Sequence, residues 1–338
     1  MKKEYSEKIP VIQFLMLLEV MLYHLELMPV KEPINAFDLW LNELNFNIIW
    51  GELTQLCMSW FFGITGFLLF RNLRFQNLGS KLLSRVKTLL VPYTLWCLLY
   101  VVKSIFQGNS WTLRQVFEQT FLLRVWPPLP SFWYIYAVFL FSLLSPVFLV
   151  LFRNEKTGWV SSVALIVLLY VFWAKIHIGN GYPHYTGNIK SFFPAYVVGA
   201  FYGHIYDNST IQSKLKYMAA FLVVGVLLTP AVDNLLSHMA IAILPMFILF
   251  VVPVPECMKN RKLYRLNFLI YATHQAIISL TNARIRNVLL SLIPYVSIAN
   301  ILGRILCILV IIAVNIVIHA LMTRFTPKTL KLLTGGRC

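Results

Sequence analysis

Residues 299–323 read ANILGRILCILVIIAVNIVIHALMT, an apolar run with a single charged side chain, Arg304. An α-helix needs about 20 apolar residues to cross the hydrocarbon core of a bilayer, so this run predicts a transmembrane helix. The same criterion, applied outward along residues 1–338, predicts one all-α, polytopic membrane domain with about ten transmembrane helices. The predicted spans are 9–28, 53–70, 88–106, 131–152, 159–176, 191–206, 217–232, 238–253, 267–283 and 299–323.

The overall composition supports this interpretation. Of the 338 residues, 59% are hydrophobic and 12% are charged, whereas a soluble globular chain carries roughly 25% charged residues. The net charge of +16 is explained by Lys and Arg in cytoplasmic loops, so no nucleic-acid partner is expected. The five cysteines form no Cys-x-x-Cys pair, and neither a disulfide framework nor a metal site is predicted.

The distribution of basic residues predicts the orientation in the membrane. If the N-terminus is cytoplasmic, the cytoplasmic segments hold 20 of the 29 Lys and Arg residues. We therefore expect both termini in the cytoplasm and a location in a bacterial inner or plasma membrane. The external segments 29–52, 107–130 and 177–190 are predicted loops, which either shape a substrate entrance or only connect spans. The cytoplasmic segments are 1–8, 71–87, 153–158, 207–216, 254–266 and 324–338.

The first predicted span carries polar side chains at Gln13, Glu19, His24 and Glu26. Each ionisable group inside a span costs about 2.5–3.5 kcal/mol on insertion scales, so each is a candidate for function. His24 lies about 22 Å beyond Ile9, where a neutral imidazole either acts as a general base or only hydrogen-bonds to a neighbour. Gln13 lies on the same face of this helix as His24. Glu19 either orients a histidine or pairs with a cation, the candidates being Lys103, Lys175 and Arg304.

Basic residues follow the second predicted span. Arg71 and Arg74 are three apart, so they share a face if the helix continues. With Lys81, Arg85 and Lys87 they place five positive charges beside one helix end. Arginine presents a rigid fork to phosphates, which predicts a phosphate site here. The alternative is ordinary cytoplasmic charge or contact with anionic lipid.

Two aromatic and histidine groups occur later in the chain. His274 lies within the ninth predicted span, with Tyr271 one turn before it. The pair either lines a pore or belongs to the core. Trp133 and Tyr134 follow a proline-rich stretch at an external interface, where an aromatic belt is the default explanation.

In their order along the chain, these clusters resemble the acyltransferase-3 family of integral-membrane acyltransferases, many of which O-acetylate cell-surface glycans. The family's first helix has a His near its outer end, matched by His24. A span ending in Phe-Phe-x-x-Ser-Gly-Phe is matched by 61–67, with Thr in place of Ser, and an Arg-x-x-Arg pair by 71–74. The further matches are a Pro-Tyr entry at 92–93, a Trp-Tyr-x-Tyr entry at 133–136 and Phe-x-Ile-Tyr-x-x-His at 268–274.

The resemblance implies an acyl-CoA co-substrate, most often acetyl-CoA, and no permanently bound cofactor. It implies a sugar or lipid-linked glycan acceptor, with membrane lipid as surroundings. His24 would be the general base or the acyl carrier, and Glu19 or Glu26 would orient its imidazole. One departure concerns Gln13, since the family usually has Arg eleven residues before this His. The phosphate-binding residues would be Arg71, Arg74 and Arg85, and the residues lining the pore would be Gln13, Trp133, Tyr134, Tyr271 and His274.

Two other classes of function fit the same composition. A transporter or flippase for an anionic or lipid-linked substrate would also use embedded Glu, His and Arg residues. No internal repeat is visible that would favour an inverted-repeat transporter. A non-catalytic membrane scaffold is the third interpretation. The sequence has no Walker loop, His-Glu-x-x-His or Gly-x-Ser-x-Gly, so nucleotide hydrolysis and a serine triad have no support.

Overall fold

A computed structural model of the chain confirms the all-α fold class, because every regular element among its described residues is helical. The helices are α1 Lys3–His24, α2 Ala36–Asn45, α3 Thr54–Phe70, α4 Leu78–Arg85, α5 Val91–Phe106, α6 Leu113–Phe121, α7 Trp133–Leu143, α8 Ser145–Leu151, α9 Glu155–Trp173, α10 Pro183–Ile205, α11 Ile211–Leu228, α12 Leu235–Phe250, α13 Asn267–Leu292, α14 Val296–Phe325 and α15 Pro327–Thr334. The structure describes residues 3–25, 35–45, 53–121, 126–173, 183–232, 234–259 and 261–337.

Four helices in the described part are long and apolar enough to cross a membrane: Phe75–Phe106, Glu155–Phe172, Ile211–Leu228 and Val296–Phe325. A fifth is added if the bent pair α7 and α8 forms one span. The exposed face of α14 is apolar, as a helix facing lipid requires. The total of about ten spans and the orientation of the termini stay predictions.

The structure corrects several predicted boundaries. The span expected at 131–152 is two helices, α7 and α8, bent by 49° where Pro146 cannot donate a backbone hydrogen bond. The segments 29–52 and 107–130, expected to be loops, contain the short helices α2 and α6. The segment 71–87, predicted to be cytoplasmic, is largely helical, because α4 continues through a π-helical turn, Val86–Leu90, into α5.

Contacts within the chain define two compact units. The first contains Met1–Met58 and Val254–Cys338, and the second contains Ser59–Pro253. The prediction of a single domain over 1–338 stays a prediction.

In the first unit, α13 packs along α14, and α1 packs on both. Thr273 on α13 donates a hydrogen bond to the side-chain oxygen of Asn315 on α14 at 2.9 Å, and both side chains are buried. Asn267, at the start of α13, donates to the carbonyl of Pro10 on α1 at 3.2 Å. These polar contacts fix the relative position of the three helices at defined residues.

Asp38 on α2 caps the N-terminus of α14. Its carboxylate accepts from the backbone N–H of Ser297 at 2.9 Å, and its carbonyl accepts from the Ser297 hydroxyl at 3.0 Å. Asp38 is only 3% exposed. A carboxylate there satisfies an N–H that the helix leaves unpaired and complements the positive end of the helix dipole.

We expect Asp38→Ala to reduce the stability of the first unit by about 1–2 kcal/mol, because the helix loses its cap. Asp38→Asn keeps an acceptor and is expected to reduce stability less. The thermal unfolding midpoint of the purified protein should decrease in the order wild type, Asp38→Asn, Asp38→Ala. Glu43→Ala removes an exposed carboxylate from the same helix α2 and serves as the control. Equal midpoints for Asp38→Ala and Glu43→Ala would contradict the capping role.

In the second unit, α3 and α10 pack through glycines. A Cβ on Gly199 would lie 1.9 Å from the carbonyl oxygen of Gly63, and one on Gly203 would lie 2.4 Å from that of Phe67. A Cβ on Gly66 would likewise lie 2.4 Å from the Tyr196 carbonyl oxygen. Gly199 and Gly203 form a Gly-x-x-x-Gly pattern, which permits close contact between membrane helices.

Helix α6 is held by two tyrosines from other helices. Tyr93 on α5 donates to the carbonyl of Thr120 at 2.7 Å, and Tyr136 on α7 donates to the carbonyl of Phe121 at 2.8 Å. The two rings stack with centroids 5.1 Å apart. These hydroxyls satisfy carbonyls in the last turn of α6 that have no partner within the helix.

Candidate active site

A histidine pair lies at the contact between α1 and α13 in the first unit. The ring centroids of His24 and His274 are 5.2 Å apart. His274 is fully buried, whereas His24 is partly exposed in the last turn of α1. Both residues are predicted site residues with separate roles, and the fold brings them together.

The backbone determines which nitrogen of His274 carries the proton. Its Nδ1 lies 2.6 Å from the carbonyl oxygen of Tyr271, and a carbonyl can only accept. Nδ1 is therefore the donor, and Nε2 of the neutral ring keeps a lone pair. This Nε2 is buried without a hydrogen-bond partner among the described residues. His274 consequently presents a fixed acceptor beside His24.

Gln275 is the side chain that contacts the imidazole of His24. Its amide nitrogen lies 3.5 Å from Nδ1 of His24. The two ends of an amide are assigned from such contacts rather than observed. In the structure the amide nitrogen donates and Nδ1 of His24 accepts. Exchanging the two ends of the amide would make Nδ1–H the donor and leave Nε2 of His24 with the lone pair that a general base needs.

Gln275 was not predicted as a site residue, because no local sequence pattern shows that its side chain reaches His24 on α1. The available signal was its position next to His274.

Glu19 is buried on α1, where its carboxylate accepts from the Thr54 hydroxyl at 3.0 Å. Arg304, one of the cations considered as its partner, instead donates to the Leu25 carbonyl at 2.9 Å. Lys175 lies outside the described residues, and Lys103 belongs to the second unit. The role of Glu19 in orienting a histidine stays a prediction.

Arg304 places a buried positive charge at the end of α1. Its side chain is 4% exposed, and the carbonyl it contacts follows His24 directly. A cation there complements the negative end of the α1 dipole. Gln13, eleven residues before His24, lies about 16 Å away along the helix axis. The side chain of Gln13 is partly exposed.

The second unit brings together Thr65, Tyr134 and Arg85. The Tyr134 hydroxyl lies 3.0 Å from the Thr65 hydroxyl and 3.0 Å from the carbonyl oxygen of Phe61. Arg85 ends α4, which packs on α7, the helix that carries Tyr134. Predicted donor-binding and pore-lining residues are therefore neighbours here.

Trp133 differs from the expected aromatic belt. It is 9% exposed, and its ring centroid lies 5.7 Å from that of Phe62, so it packs inside the second unit. The proline-rich stretch before it is compatible with either position, because a helix entry has the same sequence pattern in both.

Arg71 and Lys214 flank the same aromatic ring. The guanidinium carbon of Arg71 lies 5.3 Å from the Tyr206 ring centroid, and the Lys214 ammonium lies 4.9 Å from it. Lys214 is buried and donates to the carbonyls of Tyr206 and Ser209. Nε of Arg71 is buried without a hydrogen-bond partner among the described residues. Arg74 is exposed. Lys214 was counted in the sequence only as cytoplasmic loop charge.

The fold and these groups define a helical membrane protein with a histidine pair, of which His274 is buried, and a separate cluster of cations and aromatic rings. A family model described as an acyltransferase domain (Acyl_transf_3) matches residues 9–320. The chain therefore belongs to the acyltransferase-3 family and is an acyltransferase of the membrane. Neither the curated proteins nor the solved structures gave a match.

Proposed function

We propose that the protein moves an acyl group, most simply acetyl, from cytoplasmic acyl-CoA to a hydroxyl of a cell-surface or lipid-linked sugar. The single observation that carries this proposal is the contact of His24 with His274 and Gln275. A partly exposed imidazole that contacts a buried histidine and a glutamine amide has the properties of a general base. The proposal includes ten spans, cytoplasmic termini and a bacterial inner membrane.

The proposed step balances as a direct transfer. Nε2 of His24 takes the proton of the acceptor hydroxyl while the hydroxyl oxygen attacks the thioester carbonyl. The carbon–sulfur bond then breaks, and the imidazolium returns its proton to the leaving thiolate of CoA. In a second route the imidazole of His24 attacks the thioester carbonyl, the carbon–sulfur bond breaks and CoA leaves as the thiolate. The acceptor hydroxyl then displaces the imidazole from the acyl group, and its proton goes to the CoA thiolate.

The donor's phosphates are proposed to bind Arg71, Arg74 and Arg85 in the second unit. The unpaired Nε of Arg71 and the exposed side chain of Arg74 support this role. Trp133, Tyr134, Tyr271, His274 and Gln13 are proposed to line the path of the acyl chain or the acceptor.

Release of CoA from acetyl-CoA by the purified protein in nanodiscs tests the function. We expect CoA release that increases with time and requires an added extract of lipid-linked sugars. CoA should be measured by mass spectrometry, because the protein's own exposed Cys257 would react with thiol reagents. The absence of both release and acetyl-CoA binding would contradict the proposal. Counterflow of a lipid-linked sugar in liposomes would then indicate a transporter.

Gln275→Leu is expected to lower kcat about tenfold with little change in KM, since it removes one hydrogen bond that positions His24. In a His24→Ala background the same change should have no further effect, because the side chain acts through the imidazole. Asn287→Leu, an exposed polar change on the same helix, is the control. An equal loss of activity from Gln275→Leu in both backgrounds would contradict the positioning role.

A further inference from the structure

A basic pocket lies in the first unit, away from the histidine pair. It is lined by Arg265 before α13, by His319 and Thr323 on α14, and by Pro327, Leu330, Lys331 and Gly336 at the C-terminal end, and it has a volume of about 410 Å³. Arg304 and His319 are fifteen residues apart on α14, which corresponds to about 22 Å along the helix. This distance from Arg304 to the pocket is about three quarters of the roughly 30 Å hydrocarbon thickness of a bilayer.

Three nitrogen-bearing side chains, Arg265, His319 and Lys331, reach this pocket from three different elements. None of them makes a side-chain hydrogen bond or ion pair with another residue in the part of the chain that the structure describes. The sequence explains the lack of carboxylates nearby on these elements, because residues 257–338 contain no Asp or Glu. The positive charge of the pocket is consequently not neutralised by α13, α14 or α15.

The C-terminal segment completes the wall of the pocket. Leu330 is buried on α15, and Gly335 and Gly336 turn the chain with positive φ angles of 60° and 75°. The Arg337 guanidinium then lies 4.5 Å from the Phe268 ring centroid. The turn and this cation–π contact hold the end of the chain beside the pocket.

Two exposed apolar side chains lie close to lining residues in the sequence. Phe325 is 68% exposed and Leu332 is 50% exposed, on the two helices that flank the cleft. Basic pockets between membrane helices with apolar surroundings bind the phosphate of anionic lipids, whose acyl chains cover the apolar groups. A free nucleotide would contact the cations but would leave Phe325 and Leu332 uncovered.

We propose that Arg265, His319 and Lys331 form a binding site for the phosphate headgroup of an anionic phospholipid. The headgroup phosphate accepts hydrogen bonds from the guanidinium and the ammonium, and the Thr323 hydroxyl is available as a further donor. This site is separate from the chemistry proposed for His24 and does not depend on it.

Titration of the purified full-length protein in detergent with dioctanoyl phosphatidylglycerol tests the site, with dioctanoyl phosphatidylcholine as the neutral lipid. We expect a rise in the unfolding midpoint with the anionic lipid only. Arg265→Gln and Lys331→Gln should each weaken the apparent affinity about fivefold, and the double variant about 30-fold. Lys328→Gln makes the same charge change on an exposed residue of α15 outside the pocket and should bind as the wild type does.

Adenosine 3′,5′-bisphosphate and inorganic phosphate are each titrated alone. These titrations distinguish a lipid headgroup from a nucleotide or free phosphate as the ligand of the pocket. A midpoint shift with either of these but not with phosphatidylglycerol would overturn the lipid assignment. Equal responses to both lipids, or an unchanged response in the double variant, would also overturn it. The midpoints of the variants without lipid show whether they are folded.

Discussion

Replacing His24 with alanine is expected to lower the rate of CoA release about 10²–10⁴-fold, the usual contribution of a general base. The imidazole is the partly exposed member of the histidine pair, and the Gln275 amide contacts its Nδ1. Alanine removes both nitrogens and leaves the neighbouring helices in place. Initial rates at saturating acetyl-CoA and sugar extract measure the effect.

The control for this experiment is another histidine. His238 on α12 stacks on the Tyr170 ring at 4.6 Å, in the second unit. His238→Gln is expected to retain the wild-type rate once the amount of folded protein is matched. A His24→Ala protein that releases CoA at the wild-type rate would rule out both chemical roles for His24.

The same purified protein distinguishes the two proposed roles of His24, general base and acyl carrier. If the imidazole carries the acyl group, the wild type incubated with labelled acetyl-CoA and no acceptor should retain label that hydroxylamine removes. If it acts only as a base, no label should accumulate. The His24→Ala protein provides the background for both measurements.

Replacing Gly199 with alanine is expected to abolish the recovery of folded protein. The added Cβ would lie 1.9 Å from the Gly63 carbonyl oxygen, and backbone atoms on neither helix can yield without separating α3 from α10. Overpacking of a well-packed contact typically costs about 1–3 kcal/mol. Here the neighbour is backbone rather than a flexible side chain, so we expect Gly199→Ala to cost at least about 3 kcal/mol.

Size-exclusion chromatography in detergent and the unfolding midpoint measure this effect. Gly79→Ala is the matched control, because a Cβ there would have no neighbour within 4 Å. Gly79 lies in α4, where alanine favours the helix by about 1 kcal/mol relative to glycine. Normal yield and midpoint for Gly199→Ala would show that α3 and α10 do not pack through their glycines.

The class of fold was predictable from the sequence because hydropathy depends on local composition. The bend at Ser145 and Pro146 could not be predicted from hydropathy, because the mean hydropathy of a span-length window combines both halves of 131–152. The same averaging conceals α2 and α6, which are shorter than a span and lie between polar residues. Proline at the second position of α8 was the available local signal for the break.

The candidate site was predictable by residue type but not by contact. His24 and His274 are separated by about 250 residues in sequence, and no local pattern specifies that α1 packs on α13. Lys214 and Arg265 were counted as topogenic charges, because an isolated cation near a helix end has the same sequence signature whether it is solvated or lines a pocket. Arg304 was one of three candidate cations for Glu19, because a backbone carbonyl such as that of Leu25 is not visible as an acceptor in a sequence.

The way in which Tyr93 and Tyr136 hold α6 has a consequence for variation among related chains. Both hydroxyls contact backbone carbonyls, at Thr120 and Phe121, so the anchoring of α6 does not require particular side chains on its exposed face. Leu113 and Phe117 on that face are 91% and 57% exposed. Selection can therefore exchange these surface residues freely, and new specificities can arise on α6 while its position in the protein is preserved.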